Sequence, residues 1–129
     1  MLAYFVGSMA GRLATVLCAI LIALPYGLRR MRAGSSFYVR RLWPHFWTGY
    51  AVAALTVVHA GLVMGAMGRA NGFGIWAANV AFFLMVLEIV VGLSLREERT
   101  LARKALRRLH FWVMTGFVAS LGVHLLLNG

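Results

Sequence analysis

Four histidines, His45, His59, His110 and His124, are the only imidazoles in a chain of 129 residues. His45 stands in RRLWPHFW and His110 in RRLHFW, so nearly the same phrase is written twice, 65 residues apart. Each copy leads, fourteen residues on, to a second histidine behind a valine, Val58-His59 and Val123-His124. A neutral imidazole is a good transition-metal ligand. Fourteen helical residues rise about 21 Å and turn about 1400°, some 40° short of four full turns. Slight supercoiling removes that difference. His45 and His59 therefore share one face of a helix, and His110 and His124 share one face of another. On parallel helices in register they form two level pairs, His45 with His110 and His59 with His124.

Two imidazoles at a level limit the metal chemistry. A bare zinc wants four protein ligands, while the chain has no aspartate and only three glutamates, Glu88, Glu97 and Glu98. Two axial ligands and nothing more is the demand of a six-coordinate haem, whose porphyrin supplies the other four nitrogens. C-x-x-C-H does not occur, so the expectation is two non-covalent b-type haems with His45, His59, His110 and His124 as axial iron ligands.

The elements that must position these ligands follow from composition. The chain is 62% hydrophobic and 12% charged, too apolar for a small soluble globule that has to cover itself with polar side chains. Four apolar stretches, roughly residues 2–28, 42–67, 73–95 and 109–127, each reach or approach the roughly 20 residues that cross a bilayer as a helix. No period-two alternation argues for a barrel. The first stretch lacks a basic leader and a clean cleavage pattern, and is read as a retained helix. Cys18 is the single cysteine, which excludes an intramolecular disulfide and a thiolate metal cluster.

The net charge of +10 does not indicate nucleic acid, because the charge is segregated. Arg29, Arg30, Arg32, Arg40 and Arg41 lie between the first two apolar stretches, and Arg96, Arg99, Arg103, Lys104, Arg107 and Arg108 between the last two. The middle connection holds only Arg69. This alternation places both basic loops in the cytoplasm and both termini outside, in a multi-pass protein of the inner (plasma) membrane. Anionic lipid headgroups are the expected partners of the arginines, with a protein partner second. Residues 32–38 (RAGSSFY) carry turn-forming Gly and Ser. Residues 96–108 have helix formers at helical spacing and are expected to extend a helix beyond the apolar stretch.

The chain thus reads as a single all-α domain over residues 1–129, a four-helix membrane bundle of two similar hairpins. HFWTGYAVAALTVVHAGL lies over HFWVMTGFVASLGVHLLL, whereas the first helices of the two hairpins resemble each other only weakly. Paired histidines on two parallel helices resemble the haem-binding half of cytochrome b in bc-type quinol oxidoreductases and the transmembrane domain of ferric reductases and NADPH oxidases. RRLHFW…VHLLLN is similar to the last haem helix of small bacterial b-type cytochromes with four helices. The resemblance covers nearly the whole chain and implies that the four histidines are axial ligands. The departures are that these residues hold no flavin or NADPH domain, no second membrane half with a quinone site, and no pair of glycines fourteen apart on the other two helices, only Ala78 and Gly92 on the third.

Supporting residues have two readings each. Arg40, Arg41, Arg107 and Arg108 are either haem-propionate partners or simple cytoplasmic anchors. Arg12 and Glu88, charges within apolar stretches, are functional candidates by default. Arg12 faces the outer haem's propionates or bridges to Glu88, and Glu88 alternatively carries a proton for a quinone. Trp43, Trp47, Trp76 and Trp112 fit an aromatic belt. Phe46 and Phe111 are candidates for porphyrin contact, and Ser120 for orienting His124. Gly49, Gly61, Gly65, Gly92, Gly116 and Gly122 are candidates for close helix or macrocycle approach. Met64, Met67, Met85 and Met114 read as packing. The expected function is transmembrane electron transfer through two bis-histidine haems, to or from the quinone pool, with a redox partner protein. The alternatives are a stand-alone quinone-linked oxidoreductase and a haem-free membrane anchor.

Overall fold

The computed structural model describes residues 1–30, 42–97 and 102–128. They form four long α-helices, α1 (Leu2–Arg30), α2 (Trp43–Val63), α3 (Gly72–Glu97) and α4 (Arg103–Asn128), with a 3₁₀ turn over Met64–Arg69. All four are long and apolar enough to cross a membrane. The residues 32–38 expected as a turn lie outside those described, as do Arg40, Arg41 and Arg99.

The chain divides into two compact units, Met1–Gly65 and Ala66–Gly129, each a helical hairpin. In the first, α1 packs on α2. The small residues Gly7, Ala10, Ala14 and Cys18, spaced at helical intervals on one face of α1, are all buried. Small side chains let two backbones approach, and in an apolar solvent that close van der Waals contact holds helices together. A methyl group at Gly7 would lie 2.9 Å from Leu62 Cβ, so the helices touch there at the limit of contact.

The second unit is built to the same plan. In α3, Gly74, Ala77, Ala81 and Met85 are buried against α4. Each stands 67 residues after its counterpart in α1: Gly7 with Gly74, Ala10 with Ala77, Ala14 with Ala81, Cys18 with Met85. The likeness that the sequence of the first helices hides is therefore plain in their packing faces.

Helix ends differ from the hydropathy limits for local reasons. The helical form of α2 ends at Val63 and tightens into the 3₁₀ turn where Gly61, Gly65 and Gly68 crowd the sequence, since glycine is a poor helix former. By contrast α4 begins at Arg103, six residues before the apolar stretch, because Lys, Ala, Leu and Arg in RKALRR are strong helix formers. Pro44 sits in the first turn of α2, where a missing N–H costs nothing. Asn71 caps α3: its Oδ1 accepts from the Phe73 and Gly74 amides at 3.0 and 3.2 Å. Within the helices, Thr15, Thr48, Thr56, Ser94 and Thr115 each donate to the carbonyl four residues back, which satisfies a hydroxyl that an apolar solvent cannot.

Candidate functional site

Each of the four histidines is fixed through the same ring atom by the partner helix of its own hairpin. In the first unit, His59 Nδ1 meets the Gly7 carbonyl oxygen at 2.9 Å and His45 Nδ1 meets the Leu21 carbonyl oxygen at 3.3 Å. In the second, His124 Nδ1 meets the Gly74 carbonyl oxygen at 3.0 Å. Glu88 Oε2 lies 2.5 Å from His110 Nδ1. The Glu88–His110 pair meets at ion-pair distance, short of the in-line geometry of a hydrogen bond.

These acceptors repeat as the packing faces do. Gly7 and Leu21 are fourteen residues apart on α1, and Gly74 and Glu88 are fourteen apart on α3. The histidine interval on α2 and α4 is thus matched by an equal interval of contact residues on the helix beside it.

The local reasons for the acceptors are distinct. Gly7 and Gly74 supply carbonyls at places where backbone is closely approached. Beside Gly7, Gly11 leaves room for the ring: a methyl group there would lie 2.6 Å from His59 Nδ1 and 2.9 Å from Cε1. At Gly74 a methyl group would collide with the Asn128 side chain. Leu21 has its carbonyl available because Pro25, inside α1, has no N–H to give to the residue four before it. In α3 the residue 67 after Pro25 is Gly92, which keeps its N–H. There the acceptor for the equivalent histidine is the side chain of Glu88, at the position that Leu21 holds in α1.

The chemistry of this arrangement follows from what a carbonyl can do. It only accepts, so the imidazole nitrogen facing it carries the hydrogen. A neutral imidazole with hydrogen on Nδ1 has its lone pair on Nε2, the atom that ligates iron or another metal. A ligating histidine characteristically donates its other ring N–H to a carbonyl or carboxylate, which fixes ring orientation and raises ligand basicity. Three histidines here face carbonyls and one faces a carboxylate.

Of the other sequence-derived candidates, Arg108 is exposed and lines a basic groove with Arg103, Lys104, Arg107, Phe111 and Trp112. Arg12 is exposed on α1. Arg41 lies outside the described residues. The sequence offers Arg12 as a bridge partner for Glu88; the carboxylate meets His110. It offers Ser120 to orient His124; Nδ1 of that ring is held by Gly74. Phe46 is half-buried and Phe111 exposed. Methyl groups at Gly61, Gly65, Gly92 and Gly122 would meet nothing within 4 Å, whereas one at Gly116 would lie 3.3 Å from Leu84 Cδ1 and one at Gly49 3.9 Å from Leu21 Cδ1; the tightest approaches inside the hairpins fall at Gly7, Gly11 and Gly74. Trp43, Trp47, Trp76 and Trp112 all project outward from their hairpins, and Met85 is packing.

The acceptors are what sequence reading missed. Three of the four are main-chain atoms, which no residue type marks. Pro25 was the one available signal, since a proline inside a helix always releases the carbonyl four residues before it. Asn71 and Asn128 form a second unforeseen feature. Asn71 N donates to Asn128 Oδ1 at 2.7 Å and Asn128 Nδ2 donates to the Asn71 carbonyl at 3.3 Å, which ties the end of α4 to the start of α3 one turn beyond His124. No protein-family model, no curated protein and no solved structure matches this chain.

Proposed function

We propose that this is a membrane-embedded b-type cytochrome that moves electrons across the bilayer. His45 and His110 are the axial ligands of one haem, and His59 and His124 of a second. One observation supports this most directly: His45, His59 and His124 each present Nδ1 to a main-chain carbonyl of their own hairpin, and His110 brings Nδ1 to the Glu88 carboxylate at ion-pair distance, an arrangement that suits Nε2 as the ligating atom. The two histidines of a hairpin lie about 21 Å apart along their helix, so in this reading they serve two irons rather than one.

Bound haem supplies the one-electron chemistry; the chain sets ligation, spacing and surroundings. Gly7, Leu21, Gly74 and Glu88 orient the ligand rings, and Gly11 leaves room for one of them. Arg41 and Arg108, at the histidine-bearing basic ends, pair with propionates of one haem, and Arg12 with those of the other. By the distribution of arginine, the basic ends face the cytoplasm and both termini face outward in the inner membrane. The quinone pool and a redox partner protein are the proposed sources or acceptors of electrons.

The test is the purified protein in detergent. We expect reduced-minus-oxidised bands of b-type haem, at two haems per chain, and one haem per chain after His59→Ala with the remaining haem still reducible. A colourless, folded protein expressed with ample haem would sink the proposal and leave the membrane anchor. Reduction by added quinol without any partner would identify a stand-alone oxidoreductase.

A further inference from the structure

The basic groove on α4 has a construction that sidedness in a membrane does not require, since orienting charges need only stand near the ends of a span. Arg103, Lys104, Arg107 and Arg108 lie on its first two turns, with Phe111 and Trp112 on the next. By helical geometry the six fall within about half of the helix circumference, so cations and rings form one continuous strip. The first turn of α4 holds no acid, and neither does the rest of residues 103–108. Cations at the positive end of a helix, with like charges four residues on, destabilise that end. Arg103 is half-buried, and its Nε is shut off from solvent yet meets no acceptor among the described residues. A buried donor left unpaired is costly, more so on a charged group. The repeat shows that these cations are no part of the common hairpin plan. Aligned on the histidines, Arg103, Lys104 and Arg107 answer to Tyr38, Val39 and Leu42 in the first copy.

From this we infer that the strip is a discrete binding site for one anionic phospholipid. Arg103, Lys104 and Arg107 hold the headgroup phosphate, and Phe111 and Trp112 lie against the glycerol and the first acyl carbons. An arginine fork gives a phosphate two N–H groups at once, and Arg103 Nε is a donor available for one of them. The order of the side chains selects a lipid over a soluble phosphate. The cations precede the apolar stretch that begins at Leu109, and the rings stand at its start. A phospholipid presents charge and then hydrocarbon in that same order, whereas a free phosphate matches the cations alone. Both rings are exposed and meet edge to face, with centroids 5.5 Å apart, a wall of the kind that sits at headgroup level. Arg108 lines the same groove and keeps the propionate role proposed above. Neither haem nor the other hairpin takes part in this site.

The experiment is native mass spectrometry of the purified full chain in detergent, titrated with dioleoyl phosphatidylglycerol or with dioleoyl phosphatidylcholine. Mass counts bound lipid and bound haem separately, so the result stands apart from the cytochrome reading. We expect one phosphatidylglycerol per chain to bind first, about tenfold or more tighter than phosphatidylcholine. The triple variant Arg103→Gln/Lys104→Gln/Arg107→Gln should lose this preference, at about fivefold in affinity for each cation removed. Arg103→Lys keeps the charge but gives up the Nε donor, and should weaken binding on its own. Arg29→Gln/Arg30→Gln/Arg32→Gln removes the same charge from the first hairpin and should leave the preference intact. Circular dichroism checks that each variant is helical, and Arg103→Lys decides alone if the triple variant unfolds. Equal binding of the two lipids by the wild type would overturn the inference. So would equal losses in the two triple variants, since attraction would then follow total charge rather than the groove. Displacement of the lipid by an equal concentration of water-soluble glycerophosphoglycerol would also overturn it, by making a free phosphoester the ligand.

Discussion

Pro25 and His45, on different helices, meet at a single atom, the carbonyl oxygen of Leu21. The proline withholds the N–H that this carbonyl would ordinarily receive within α1, and the histidine ring is placed 3.3 Å away to supply one. The proline inside α1 is thereby explained by the ring on its neighbour, since in a membrane a released carbonyl must find its donor inside the protein.

This relationship predicts the effect of Pro25→Ala. The substitution restores a main-chain N–H that competes for the Leu21 carbonyl, and α1 gains helix propensity by up to about 3 kcal/mol. The hairpin should melt at the same or a higher temperature. The ring of His45 loses its fixed tautomer, and outer partners of this kind are worth roughly 10–100-fold in ligand affinity. Haem titration into the variant should therefore show one site weakened by that factor and one unchanged. Equal affinities in wild type and variant would mean that the Leu21 contact does not orient the ring.

Gly11 and His59 give a steric prediction. A methyl group at position 11 would sit 2.6 Å from His59 Nδ1, against a ring already drawn in by the Gly7 carbonyl. Gly11→Ala should cost about 1–3 kcal/mol through overpacking and displace the ring, lowering haem content toward one per chain. Gly27→Ala on the same helix meets nothing within 4 Å and is the control, neutral or slightly stabilising by propensity. Thermal unfolding in detergent and the haem-to-protein ratio report the two effects separately. Identical behaviour of the two variants would show that the space beside His59 is not limiting.

The fold was legible wherever hydropathy decides it. Four helices follow from four apolar runs, and α4's early start at Arg103 follows from the helix formers of RKALRR. The histidines stood out because their type is rare in such a chain and their interval is doubled. What holds them was not legible, because Gly7, Leu21 and Gly74 act through carbonyls that every residue possesses. Glu88 was visible as an ionisable residue in an apolar run, read as a partner for Arg12 or a proton carrier for a quinone; its contact with His110 was not visible, because it depends on how α3 and α4 align. The duplication of α1 and α3 was hidden for a related reason. Packing preserves which positions face the partner helix rather than residue identity, so Cys18 answers to Met85 and Leu21 to Glu88.

The Asn71–Asn128 clasp belongs to the second hairpin; the residues at matching places in the first are Tyr4 and Val63. Asn71→Ala removes the cap of α3 and should cost about 0.5–2 kcal/mol, with amide hydrogen exchange accelerated at Phe73 and Gly74 and unchanged in α1. Because Gly74 also holds His124, the same variant should loosen that ring and no other histidine, which nitrogen-15 shifts of the four imidazoles in the haem-free protein would resolve. Unchanged exchange at the start of α3 would show that the cap contributes nothing there.

The distribution of charge predicts sidedness. Eleven of thirteen basic residues flank the ends of the chain's hairpins that carry His45 and His110, and arginine-rich ends stay in the cytoplasm. In a Cys18→Ala background, which removes a buried thiol and leaves a small side chain in a small-residue stripe, single cysteines report each end. Ala70→Cys, in the connection between the two hairpins, should react with a membrane-impermeant maleimide in intact cells. Ala102→Cys, beside the start of α4, should react only after the membrane is opened. The same pair of labels fixes which haem level faces the cytoplasm, because Ala102 precedes His110 by eight residues on a continuous run of chain. Labelling of Ala102→Cys from outside would invert the topology and place the Glu88–His110 pair at the outer surface, with the order of the two proposed sites across the bilayer reversed.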